Sequence, residues 1–201
     1  MAKTMSAQNI VTPTADDLAV SAQAASKQGP PPVHLWNPPF CGDLDIHIAR
    51  DGNWSYQGSP ISRAPLVRLF SSILKLEDGK YFLVTPVEKV GITVEDAPFV
   101  ATDFEVSEED GAQVLTFTTQ VGDTSRAGVE NPIRVSRDPG TGEPAPYIHI
   151  RRGLEALIDR KSFYRLVELG ETAEIEGTEW FGLRSEGVFF PMIPAAELQG
   201  V

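Results

Sequence analysis

Arg151, Arg152, Arg160, Lys161 and Arg165 crowd into one short stretch of a chain that is otherwise acidic, with 28 Asp and Glu against 17 Lys and Arg and a formal net charge of -11. The deficit is uneven, because no Lys or Arg falls between Val90 and Ser125 while Glu95, Asp96, Asp103, Glu105, Glu108, Glu109, Asp110 and Asp123 do. Such a surface repels a polyphosphate backbone, so nucleic acid is not an expected partner. A local basic cluster on an acidic background instead suits a small anion. Arg63 and Arg160 are each expected at the first position of a helix, where the backbone already presents partial positive charge, so each calls for an anionic partner. Neighbouring acids such as Asp45, Glu155 or Asp159 are the bland answer for any single arginine. Taken together, the arginines point to an anion site.

The segment HLWNPPFCGD adds a second kind of chemistry. Pro38 and Pro39 stiffen it, and it presents an indole at Trp36 that can stack or cover a ligand and an amide at Asn37 that gives directional hydrogen bonds. His149 stands on a strand beside the arginines. The candidate ligand-binding set is therefore Trp36, Asn37, Arg63, His149, Arg151, Arg152 and Arg160. No catalytic residue is assigned, and neither a metal nor a cofactor is expected. The sequence has no GxxxxGK[ST], no GxSxG and no HExxH, and PGTGEP lacks the lysine and the following helix that would make it a phosphate loop. His34, His47 and His149 are scattered. The one cysteine, Cys41, allows no internal disulfide and no thiolate pair for a metal.

These residues need elements to position them. Hydrophobic content of 41% with 22% charged residues is that of a globular protein with a real core. No apolar run approaches the ~20 residues that span a bilayer, and the start lacks the apolar stretch of a secretory signal, so a cytoplasmic, non-membrane protein is expected. Residues 1–32 read as a tail with a short helix behind a Thr14 cap, stopped by a Pro-rich connector. In GDLDIHIAR the apolar Leu44, Ile46 and Ile48 alternate with polar residues, which is a half-buried strand, and a turn then leads to Trp54 and Tyr56. SRAPLVRLFSSILKL spaces Leu66, Leu69, Phe70, Ile73 and Leu74 as one face of a helix. YFLVTPVEKVGITVE reads as two strands broken at Pro86, FVATDFEV pairs with AQVLTFTTQV, and the strands NPIRVSR and PYIHIRR flank the loop DPGTGEPAP.

The second half echoes the first. Ile46, His47, Ile48 and Arg50 match Ile148, His149, Ile150 and Arg152, and Ile61, Arg63, Arg68 and Leu69 match Ile158, Arg160, Arg165 and Leu166. Ser62 and Asp159 are expected N-caps, Ile61 with Leu66 and Ile158 with Phe163 form hydrophobic staples, and Gly170 is the expected stop of the second helix. The expected architecture is α+β, an internal duplication of a strand-turn-helix-strand-strand unit in two small packed domains. The expected boundaries are 33–96 for the first repeat domain and 97–201 for the second, which carries extra strands.

HLWNPPFCGD, DGNWSYQGSPISR, LVRLF, GKYFLVTPVEK and VEDAPF together resemble the bacterial family catalogued as domain of unknown function 1285, most densely up to Phe99. The resemblance implies an α+β chain with an internal duplication, a C-terminal half loosely like a pleckstrin-homology barrel, and a pocket between the halves for a nucleotide-like ligand in bacterial signal transduction. The expected function is a regulatory protein that binds a small anionic molecule, with a nucleotide as one candidate, at the interface of the two repeats. A hydrolase acting on a phosphorylated small molecule is the alternative, with binding favoured over catalysis, and a protein partner in signalling is a further expectation.

Overall fold

In the computed structural model, which describes residues 13–26, 30–137, 140 and 142–200 with side chains through Leu198, the chain divides into two compact units. The first takes in the chain up to Ala49 and then Asn53–Glu95; the second takes in Arg50–Gly52 and everything from Asp96. Residues 1–12 and 27–29 of the expected tail and connector, and parts of the 138–141 loop, lie outside the described residues.

The first unit opens with α1, Ala15–Ala25. Thr14 caps it as its type predicts: its hydroxyl accepts the Asp17 N–H while the Asp17 carboxylate accepts the Thr14 N–H. The Thr14 hydroxyl also donates to Asp17 Oδ2 at 2.7 Å, and this bond first, then that from the Thr14 N–H, holds the Asp17 carboxyl below the usual carboxylate range. Six strands follow as one sheet: β1 Phe40–Ile48, β2 Trp54–Tyr56, β3 Ser59–Pro60, β4 Leu74–Glu77, β5 Lys80–Val84 and β6 Lys89–Val94. Their order is β3-β2-β1-β6-β5-β4, with β1 and β6 parallel. Leu44, Ile46 and Ile48 are buried, as their alternation requires. Helix α2, Ala64–Ser72, lies between β3 and β4 in the chain; its fully buried Phe70 stacks on Trp54 with ring centres 6.3 Å apart, and α1 lies against it. Each fully buried side chain of this size contributes about 1.5–3 kcal/mol.

Two details of α2 differ from expectation. The cap is Arg63 rather than Ser62, so Arg63 stands one position before the first helical residue and its carbonyl accepts the Leu66 and Val67 N–H groups. Pro65 in the first turn has no N–H to satisfy, so the helix starts without a side-chain cap. The helix also ends at Ser72, and Leu74 begins β4 instead of extending the helix.

The second unit is built from two antiparallel-rich sheets and an α-helix. Its strands are β7 Phe99–Glu109, β8 Ala112–Thr119, β9 Thr124–Arg126, β10 Ile133–Arg137, β11 Pro144–Arg151, β12 Leu154–Ile158, β13 Glu171–Ile175, β14 Thr178–Ser185 and β15 Val188–Pro194, with α3, Arg160–Val167, between β12 and β13. One sheet runs β10-β11-β12-β7-β8-β9, and β13-β14-β15 form another. The smaller sheet meets the larger in two places: β15 lies beside the edge strand β10, and the end of β14 bonds to β8, next to the other edge, where the Leu115 N–H donates to the Ser185 hydroxyl at 2.9 Å. Phe99, Leu115, Phe117, Ile148 and Leu154 fill the interior. Asp159 caps α3 by accepting the Ser162 N–H at 2.7 Å, so Arg160 does stand at the first helical position. The expected stop Gly170 has another reason to be glycine. Its φ is not left-handed, and a Cβ there would overlap the Phe181 ring.

The first matched segment runs three strands, a helix and three strands, the second two strands, a helix and three strands, and they pair differently. β1 pairs in parallel with β6 in one sheet, whereas β11 pairs with β10, β12 pairs with β7, and β13–β15 stand apart. The coarse expectation of a sheet-rich chain of two domains with few helices holds. Among the described residues, no helix is long and apolar enough to cross a membrane.

Candidate functional site

Within each unit the topology separates the predicted ligand residues. In the first unit, Trp36 follows a 3-10 turn, Val33–Leu35, and its carbonyl accepts Lys75 Nζ at 3.1 Å from β4, one edge strand of the sheet. Asn37 beside it is exposed. Arg63 leaves the opposite edge, just past β3. In the second unit, β11 and β12 form a hairpin whose tip carries Arg151 and Arg152, while Arg160 follows the far end of β12. At ~3.3 Å per residue, a strand's length of about 15–20 Å keeps the tip arginines from Arg160.

Those residues at the hairpin tip are committed locally. Arg151 pairs with Asp123 and lies 5.0 Å from the centre of the Phe99 ring. Arg152 takes a left-handed φ of 49° beside Gly153 at 77°, the two-residue turn that a tight hairpin needs. His149 Nε2 accepts the Gly153 N–H at 3.0 Å, which leaves the proton on Nδ1 to donate to Asn131 Oδ1 at 2.9 Å. The His149 carbonyl accepts the Ser125 hydroxyl at 2.8 Å. His149 therefore pins the turn to its neighbours with both ring nitrogens. Arg165, at the end of α3, pairs with Asp103, whose carboxyl that bond holds below the usual range, and its guanidinium covers the Phe104 ring at 4.5 Å.

Arg160 is different, because it lines a cleft of about 370 Å3 formed within the second unit. Up to Leu157, β12 pairs with β11, opposite Tyr147. Beyond that point the chain turns into α3, while Pro144 and Pro146 continue on β11 with no N–H to offer on that side. The gap between the diverging chains is the cleft. Phe163 and Tyr164 of α3 wall it, and Tyr164 is 60% exposed, leaving a ring face open. Arg50, Glu143 and Asp159 supply the other charges.

Two guanidiniums in this cleft are held in different ways. Arg160 Nη2 lies 3.3 Å from both oxygens of Glu143, a long pair between side chains that are 71% and 62% exposed. Arg50 Nε lies 3.3 Å from Asp96 Oδ2, and the side chain of Asp96 is 21% exposed. Asp96 Oδ1 accepts the buried Tyr147 hydroxyl at 2.8 Å, and Arg134 stacks 4.1 Å above the Tyr147 ring while binding Glu155. Burial first, and then the bond to Asp96, pushes the Tyr147 hydroxyl above its ordinary range. Arg50, its side chain 44% exposed, thus lies within ion-pair distance of a carboxylate that Tyr147 holds.

Sequence reasoning found Arg160 and missed Arg50, Glu143, Phe163 and Tyr164 as cleft residues. Arg50 had been singled out only as the counterpart of Arg152, and Phe163 only as a staple. The alternation of LEALI as strand β12 is the signal that puts Arg152 and Arg160 at opposite ends, whereas no local signal brings Arg50 or Glu143 to the cleft. Among the described residues no group of three or more His, Cys, Asp or Glu converges as a metal site.

Two family models match the sequence in succession: "Domain of unknown function (DUF1285), N-terminal domain" over residues 31–97, and "Protein of unknown function (DUF1285), C-terminal domain" over 98–192. A crystal structure of a DUF1285 family protein from Silicibacter pomeroyi DSS-3 is 64% identical, with 90% of this chain and 97% of that one covered and a TM-score of 0.82. A second, from Shewanella baltica OS155, is 30% identical over 62% of this chain and 91% of that one, with a TM-score of 0.49. No curated protein matches the sequence. With both models covering most of its length and a close relative of known structure, the chain belongs to the DUF1285 family.

Proposed function

We propose that the protein is a small-molecule-binding regulatory module whose second unit takes an anionic ligand in the cleft between β11 and α3. The observation that carries this reading is the placement of Arg50 and Arg160 on one cleft of about 370 Å3 walled by Phe163 and Tyr164. That volume is in the range of small-ligand sites, which combine apolar walls with a few oriented polar groups. The Tyr164 ring offers a face on which a flat group such as a base can stack. The Arg160–Glu143 pair opposes binding only weakly, because an exposed ion pair of this length is worth about 0–1 kcal/mol. A role in bacterial signal transduction fits a module of this kind. Its descent from a duplicated segment is supported by the recurrence of a strand pair, a helix and three strands, and a loose kinship with pleckstrin-homology barrels by the two places where the sheets of the second unit meet.

Thermal denaturation with mono-, di- and cyclic nucleotides tests the reading. A ligand at a hundred times its Kd stabilises by about 2.7 kcal/mol. The shift is expected in the native chain and is expected to shrink in Arg160→Gln. No shift with any of these compounds overturns the proposal, and release of phosphate from them, with or without magnesium, would replace it with the hydrolase reading.

A further inference from the structure

We infer that the cleft of the second unit selects a phosphoryl group over a carboxylate, with Glu143 acting as a built-in competitor for Arg160; this rests on the reading of that cleft as an anion site. Glu143 already places a carboxylate on Arg160, with both oxygens 3.3 Å from one guanidinium nitrogen. Being part of the same chain, it competes at the millimolar effective concentration typical of a tethered group. A ligand with a single carboxylate would exchange one monoanion on Arg160 for another and gain little.

A phosphoryl group changes the balance in two ways. It carries about -1.5 to -2 charges at neutral pH, and its three acceptor oxygens point in different directions. Arg50 lines the same cleft within ion-pair distance of Asp96, which is held by Tyr147. A phosphoryl group can therefore engage Arg50 and Arg160 together, whereas a carboxylate satisfies one guanidinium fork. Beyond the anionic end, Phe163, Tyr164 and Pro146 provide the apolar wall for a flat substituent. The ligand class is an aromatic or heteroaromatic phosphomonoester. Asp96 is the positioning residue of this arrangement, since it reaches the ligand only through Arg50.

Phenyl phosphate and benzoate, which share the ring and differ in the anion, test this by calorimetric titration of the full chain, its Glu143→Gln variant and its Arg50→Gln variant. Phenyl phosphate is expected to bind the native chain at least tenfold more tightly than benzoate. Glu143→Gln is expected to tighten both by up to about fivefold, the equivalent of about 1 kcal/mol for an exposed pair. Arg50→Gln is expected to erase most of the preference between them. Equal binding of the two probes, or no gain in Glu143→Gln, overturns the inference while leaving an anion site standing. Binding of neither probe to the native chain or to Glu143→Gln overturns the anion site itself.

Discussion

Replacing Ser185 with alanine removes the polar pin where β14 meets β8. The Ser185 hydroxyl is fully buried, donates to the Ala127 carbonyl at 2.7 Å and accepts the Leu115 N–H at 2.9 Å. Alanine deletes both bonds and adds no group that could answer them. Each bond contributes about 0.5–1.5 kcal/mol net, and a buried donor left without a partner costs about 1–3 kcal/mol. The expected loss is therefore about 2–3 kcal/mol, and at about 2–4 °C per kcal/mol for a chain of this size Tm falls by roughly 4–12 °C. Urea titration measures the loss, and amide hydrogen exchange localises it: Leu115 should lose protection beyond the global change, whereas Phe117, further along the β7–β8 ladder, should not. Ser136→Ala is the control, because its hydroxyl lies 3.5 Å from the Ala145 carbonyl and should cost less than about 0.5 kcal/mol. A Ser185→Ala chain within about 0.5 kcal/mol of native, with Leu115 protection unchanged, would refute the idea that this bond pair joins the two sheets.

Two further outcomes follow from the same structure. Gly182→Ala should abolish or strongly impair folding of the second unit, because a Cβ there overlaps the Phe190 backbone carbonyl, whereas Gly91→Ala meets only the movable Asp43 carboxylate and should cost far less; circular dichroism melts of the two variants compare them. The Glu77 carboxyl, bonded to Lys75 and Lys89 at 2.6 and 2.8 Å, is held below its ordinary range first by Lys75 and then by Lys89. Since the folded-state pKa is the lower one, its contribution to stability is full above the unfolded carboxylate value near ~4.3 and is lost as pH falls through the folded value. Denaturation of Glu77→Gln from pH 7 to pH 3 should therefore show a shallower acid loss than the native chain, and an unchanged pH slope counts against this assignment.

The sequence by itself determined much of the order of elements in the first unit and the capped start of α3, because the signals for them are local. Alternation buried Leu44, Ile46 and Ile48, and Asp159 and Thr14 capped the helices their types predict. The residue before glycine takes φ near 50° at Gln57, Asp78, Asp110, Arg152, Glu176 and Glu186, and each of these pairs closes a two-residue hairpin, so the turns were written in the chain as well. Side-chain periodicity and turn chemistry act over a few residues and are legible without the tertiary context, although the apolar period of α2 runs on to Leu74, which the sheet takes as the start of β4.

Which residues share a site was decided only by strand pairing between distant segments. Arg151, Arg152 and Arg160 look like one cluster along the chain, yet the β11–β12 hairpin sends them to opposite ends, and Arg151 finds Asp123. His149, which looked like a ligand, is consumed by Gly153 and Asn131, while Arg50 reaches the cleft from a turn far upstream. A charged side chain goes to whichever carboxylate or opening the folded backbone places within ~4 Å, and that distance is set by sheet order and register rather than by sequence spacing.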